Sequence, residues 1–172
     1  AGATVGDDGV SSFAWNIDGA GGAEITLESS SGYIGMYAGA NGFDLAVNGD
    51  NDLLNLGAGA YVKGATFNDG GFFPAILRSG AIDTATGFTS GESGYLGFQF
   101  TPGATTLYGW AEVVLTEGSP AGSFEIVQWA YEDTGLDIQT PGVPEPAGAA
   151  TGLGLLALGA AGVRRMRRPQ AA

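Results

Sequence analysis

The sequence predicts an all-β fold, an antiparallel β-sandwich or jelly-roll-like domain followed by a single C-terminal transmembrane helix, and three observations carry that reading. Gly and Pro make up 39 of 172 residues, too many helix breakers for a helical bundle. Short apolar runs with a period of two recur between turn residues from Ser12 to Ile138, the pattern of half-buried strands. Finally, 17 consecutive residues from Ala147 to Val163 carry no charge and run into four arginines. All 18 aromatics lie between Phe13 and Tyr131, ample for a core, so the Gly-rich composition belongs to a folded domain and not to a low-complexity chain.

Taken in order, Phe13, Trp15 and Ile17 alternate, the run Asp18-Gly19-Ala20-Gly21-Gly22 makes a turn, and Ile25 and Leu27 alternate again. Tyr61 to Phe67, Tyr95 to Phe100, Leu107 to Leu115 and Phe124 to Tyr131 are rich in β-branched and aromatic residues and read as strands. Breaks fall at Asn41-Gly42, Asn48-Gly49-Asp50, Asn68 to Gly71, Thr101-Pro102-Gly103 and Gly118-Ser119-Pro120. Eight or so strands at intervals near ten residues suit an antiparallel sandwich. A parallel α/β sheet would need amphipathic helices between strands, and the sequence offers none. In Leu107 to Leu115 one face carries Leu107, Gly109, Ala111, Val113 and Leu115 and the other Tyr108, Trp110, Glu112 and Val114. Both faces are largely apolar, as for a central strand, and Pro102-Gly103 should make the strand from Tyr95 to Phe100 its antiparallel neighbour.

Charge divides the chain sharply. The first 146 residues hold all 18 acids but only two bases, Lys63 and Arg78, a net charge of −16; the other four bases are Arg164, Arg165, Arg167 and Arg168. A body this acidic repels phosphate backbones, so nucleic acid is not an expected partner. There is no Cys and no His, which removes disulfides, thiolate or imidazole metal sites, and Ser/His/Asp or Cys-based nucleophilic catalysis.

Four parts follow from composition: an acidic, Gly-rich extracytoplasmic body over 1–140, a Pro-rich linker over 141–146, an apolar helix over 147–163 and a basic cytoplasmic tail over 164–172. Pro141, Pro144 and Pro146 force the linker to be extended and poor in backbone donors. As a helix, 17 residues span about 25 Å, enough to cross a bilayer with some thinning. The flanking arginines stay on the cytoplasmic side, leaving the acidic body across the membrane. A body that crosses a membrane needs a secretion signal; the chain starts at Ala1 without Met, which reads as numbering from after a removed signal peptide, although an internal fragment would start the same way.

Three constellations within the body are candidates for chemistry. Glu112, beside Trp110, and Glu132, beside Trp129 and Tyr131, are the acids an aromatic-lined sugar-cleaving site would use; the simpler reading is an outward strand residue and a solvated turn, so no catalytic residue is assigned. Asp44, Asn48, Asp50, Asn51 and Asp52 form an oxygen-rich run that could take Ca²⁺. The run lacks the spacing of a helix-loop-helix calcium site, and a polar turn is the favoured alternative. Trp15, Trp110 and Trp129, with Tyr131, could offer a flat surface for sugar rings, although buried core is the commoner role at strand positions.

The C-terminal signal is more specific. Val143-Pro144-Glu145-Pro146, the apolar helix and the cluster Arg164, Arg165, Arg167 and Arg168 together resemble the PEP-CTERM sorting signal of bacterial exosortase substrates. Tyr95 to Phe100, Tyr108 to Ala111 and Ala130 to Glu132 are similar to a segment that often precedes this signal, which extends the resemblance to about residues 95–168. The resemblance implies export, transient anchoring in the inner membrane, and recognition of the Pro-Glu-Pro strip by an exosortase that removes helix and tail. It implies a final location at the cell surface or in an exopolysaccharide matrix. The expected function is thus that of a non-enzymatic, envelope-targeted protein without a cofactor; a surface carbohydrate-binding module is the alternative, and a polysaccharide-cleaving enzyme the third.

Overall fold

The computed structural model describes residues 3–6, 12–30, 33–38, 42–50, 52–68, 77–78, 81–82, 86–118 and 122–142. Among them are eleven strands: β1 (Ala3–Gly6), β2 (Ser12–Trp15), β3 (Ile25–Ser30), β4 (Tyr33–Ala38), β5 (Asp44–Val47), β6 (Thr66–Phe67), β7 (Leu77–Arg78), β8 (Ala81–Ile82), β9 (Ser93–Phe100), β10 (Leu107–Thr116) and β11 (Ser123–Glu132). They form a six-stranded sheet in the order β1-β11-β10-β9-β5-β6 and a five-stranded sheet in the order β2-β3-β4-β7-β8. Every pairing between them is antiparallel. The apolar helix expected over 147–163 lies outside the described residues.

β9 and β10 are neighbours, joined through Pro102-Gly103, with Leu107 opposite Phe100, Glu112 opposite Tyr95 and Val114 opposite Ser93. β10 is paired on both sides along nearly its whole length, which is why neither of its faces is strongly polar. Its Leu107, Ala111, Val113 and Leu115 join Leu96, Phe98 and Phe100 of β9, Phe124 and Ile126 of β11, and Trp15, Ile25, Leu27 and Met36 of the five-stranded sheet in one buried cluster. Fully burying side chains of this size stabilises by about 1.5–3 kcal/mol each. Phe98 sits at the centre of this aromatic packing: Phe43 stacks on it at 5.5 Å, and Trp15 meets it edge-on at 5.7 Å. Gly109 makes room for that ring, since a Cβ there would run into the Phe98 side chain and lie 2.7 Å from the Ala130 carbonyl.

Two features depart from simple alternation. Glu112 opposes Gln128 but Val113 opposes Ile126, so Val127 is an extra residue in β11 and forms a β-bulge. Phe124 and Ile126 point into the core before it; after it, Trp129 lies opposite Ala111 and Tyr131 opposite Gly109, so these two residues take the core side. The second departure corrects the strand expected over Tyr61 to Phe67. Only Thr66–Phe67 pair as a strand, with β5; Tyr61 makes an isolated bridge to Gln139 instead. The β-rich composition of Tyr61 to Ala65 serves contacts with a segment far along the chain and not a regular ladder.

Candidate functional site

The outer face of the six-stranded sheet carries the residues of β10 that alternate with its core positions. Trp110 is there, opposite Gly97 and Ala130, and only 8% of it is exposed. Tyr95 meets it edge-on at 5.8 Å. Beside them the Glu112 carboxylate accepts a hydrogen bond from Gln128 Nε2 at 2.7 Å. Burial, and then the neighbouring Glu112 charge, raise the Tyr95 phenol above its ordinary pKa. Further along the same face Phe67 lies 6.1 Å from Tyr108, and Lys63 Nζ stands 5.1 Å over the Tyr108 ring.

Trp129 and Tyr131 are on the opposite side of that sheet. Trp129 meets Trp15 edge-on at 5.4 Å and Tyr131 meets Phe100 in the same way at 5.4 Å. The structure therefore brings Trp15 and Trp129 together and separates both from Trp110; the three indoles do not share one flat surface. The bulge at Val127 is the cause, and the sequence gave no sign of where the phase of β11 would shift. Of the three, Trp129 is the one with substantial exposure, 37%, while Trp15 is 2% exposed and its indole N–H has no hydrogen-bond partner.

The run from Asp44 to Asp52 divides in the same manner. Asp44 is on β5 and accepts a hydrogen bond from Gln99 Nε2 at 2.9 Å. Asn48 folds the next residues around itself: its Oδ1 accepts from the backbone N–H of Asp50 and of Asp52, both at 2.9 Å, and its N–H donates to the Asp52 carbonyl at 2.9 Å. This is an Asx-type turn, in which the side-chain oxygen is committed to the backbone. Asn51 lies outside the described residues, and among those described no group of three or more Asp, Glu, His or Cys side chains is placed to hold a metal ion.

Glu132 is likewise engaged locally. Its carboxylate accepts from Thr134 Oγ1 at 2.7 Å and from the backbone N–H groups of Thr134 and Leu136 at 3.0 and 2.7 Å. The Thr134 hydroxyl bond above all, helped by these backbone donors, holds its pKa below the ordinary value despite a smaller opposing desolvation. A carboxyl held ionised in this way is unsuited to donate a proton as a general acid. Glu112 and Glu132 share the outer face but pair across from Gln128 and Tyr108; four residues of strand separate their positions by roughly 13 Å, beyond the reach of a carboxylate pair acting on one glycosidic bond.

The most extensive non-local hydrogen bonding outside the sheets is where the body ends. Segment 57–63 and segment 135–141 are zipped together: Gly59 N–H donates to the Pro141 carbonyl at 3.1 Å, Thr140 N–H to Ala60 at 2.9 Å and Val62 N–H to Ile138 at 3.0 Å. Thr140, only 2% exposed, uses its hydroxyl twice, accepting from Ala60 N–H at 2.9 Å and donating to the Gly57 carbonyl at 2.7 Å. Lys63 adds two more contacts, its N–H to Asp137 Oδ1 at 2.8 Å and its Nζ to the Gly135 carbonyl at 3.0 Å. Gly59 takes φ of +72°, which lets the turn present its N–H to Pro141. The sequence gave Thr140 and Asp137 no distinguishing mark, because the partners stand more than 70 residues away.

This clasp closes the compact unit Ala1–Gly142. The next residue is Val143; Val143, Pro144, Glu145, Pro146, Arg164, Arg165, Arg167 and Arg168 all lie outside the described residues. Among the described residues no helix is long and apolar enough to cross a membrane. In comparison with known proteins the chain matches no family model, no curated protein and no solved structure.

Proposed function

We propose that the chain is an exported, non-enzymatic protein of the cell envelope or exopolysaccharide matrix. In this reading its two sheets form a β-sandwich body. A transmembrane helix over 147–163 anchors that body transiently in the inner membrane, and an exosortase releases it at Val143-Pro144-Glu145-Pro146. The observation that carries the reading is the order of parts at one boundary: the compact unit ends at Gly142, and Val143 begins a Pro-rich strip, an uncharged run of 17 residues and four arginines. An extended strip with few backbone donors suits an enzyme cleft, and the arginines oppose passage of the tail through hydrocarbon.

Mass spectrometry of the C-terminus tests this directly. In cells with a cognate exosortase the surface or matrix form ends near Pro144 to Ala147 and lacks Arg164 to Arg168; without the enzyme, the uncut form accumulates in the inner membrane. Replacing Pro144-Glu145-Pro146 by Ala-Ala-Ala preserves insertion and abolishes release. A mature form that keeps its arginines, or a triple variant released normally, makes the segment an ordinary tail anchor. A second reading, binding of surface glycan, draws on Trp129, which is 37% exposed; loss of glycan binding in Trp129→Ala with unchanged folding would favour it.

A further inference from the structure

Resting on the sorting reading, we propose that the clasp between 57–63 and 135–141 is a gate on release: the strip is a substrate only while the clasp is open. Its last backbone bond, Gly59 N–H to the Pro141 carbonyl, leaves Gly142 alone between the held chain and Val143. An enzyme that cuts an extended peptide holds several residues on the N-terminal side of the scissile bond. For a cut near Pro144 to Ala147 those residues run back through Gly142 toward Pro141 and Thr140, whose backbone groups are already bonded to Gly59 and Ala60. The two sets of bonds exclude each other, so the chain must peel from 57–63 before the cleft can close on it.

The clasp has the composition of an element that opens locally. Beyond Thr140 and Val62 its residues are exposed or half-buried, Tyr61 being 61% exposed and Leu136 66%. It holds through individual hydrogen bonds and not through a buried apolar face, placing it at the low-stability end of the molecule while the core of β9, β10 and β11 stays closed. When opening and reclosing are fast relative to cleavage, the rate of cutting follows the open fraction. Thr140 is the control point, because its hydroxyl joins both Gly57 and Ala60.

The experiment is a pulse-chase of the full chain in cells with the exosortase, comparing wild type with Thr140→Val, Thr140→Ser and a Gly-Ser-Gly-Ser insertion between Gly142 and Val143. Hydrogen exchange on the purified variants reports the clasp separately. Removing both hydroxyl bonds of Thr140 should raise the open fraction, and with it the processing rate, roughly threefold to thirtyfold, while Thr140→Ser keeps the wild-type rate. The insertion leaves the clasp shut but moves the strip away from it, so it also speeds release and serves if Thr140→Val does not fold. Wild type cut, with exchange showing an open clasp in Thr140→Val but equal rates in all four chains, overturns the gate alone. If Thr140→Val does not fold, an insertion variant cut at the wild-type rate overturns it. Wild type left uncut overturns the sorting reading and the gate with it.

Discussion

The turn at Asn48 and the clasp at Thr140 are built from similar side chains and do different work. Around Asn48 the bonds join residues two to four apart; in the clasp they join residues 72 to 83 apart. The turn can form as soon as its own residues meet. The clasp closes a long loop, so its bonds count only once the sheets have brought both segments together, and they are the first to be lost when either moves. An Asn or Thr in a Gly-rich run therefore says nothing by itself about which of the two it will serve.

The largest effect should come from breaking the clasp. Thr140→Val leaves the Gly57 carbonyl and the Ala60 N–H without their side-chain partner in a site that is 2% exposed, a loss of about 2 kcal/mol. Hydrogen exchange should then speed up in both 57–63 and 135–141 and leave β9 and β10 unchanged. Faster exchange in only one segment would show that the two are not a unit. Asn48→Ala should cost less, about 1 kcal/mol, because its acceptor serves two half-buried or exposed N–H groups that water can replace in part. Its exchange signature should stop at residues 48–52.

Glu132 sharpens the comparison at a third place, since its carboxylate closes the turn leading from β11 into the clasp. Its pKa is lowered in the folded chain, so it contributes stability above the unfolded carboxyl value that is lost as pH falls through the folded one. Glu132→Gln should flatten that acid-side decline without changing the profile above pH 6. The side chain is fully exposed, and the effect should be small; an unchanged acid limb would mean that the turn bonds do not distinguish the ionised form. Smallest of all is the response to Ca²⁺. With Asn48 committed to the backbone and Asp44 to Gln99, any rise in melting temperature at millimolar Ca²⁺ should be the same in wild type and in Asp50→Asn/Asp52→Asn, as general screening of an acidic body requires. A rise lost in the variant would establish a specific site.

What could be read from the sequence follows the same division between local and distant. The all-β character, the pairing of β9 with β10 and the two faces of β10 depend on alternation and on one Pro-Gly turn, all contained within a few residues. Tyr61 to Ala65 looked equally strand-like, yet its partner is at 138–141 and a composition cannot name a partner. Trp110 and Trp129 each sit in an alternating run, and nothing in either run marks Val127 as the residue that reverses the phase. The placement of Glu24 was hidden for the same reason: it is fully buried, with its carboxylate accepting the Ile17 N–H at 2.6 Å across the Gly-rich turn, whereas an isolated Glu before Ile25 reads as an exposed strand end.

The bulge at Val127 also fixes which changes in length the sheet can absorb. A residue deleted from Leu107 to Leu115 would carry every later side chain of that strand to the wrong face, placing Glu112 or Trp110 where Ala111 and Val113 are now buried. Deleting Val127 has the opposite character. It removes the unpaired step, lets Gln128 follow Ile126 as an ordinary outward neighbour, and leaves Trp129 and Tyr131 facing the core as before. β11 thus carries an insertion it has already accommodated, and Val127 marks a position in this sheet where the chain can become one residue shorter without reversing a face.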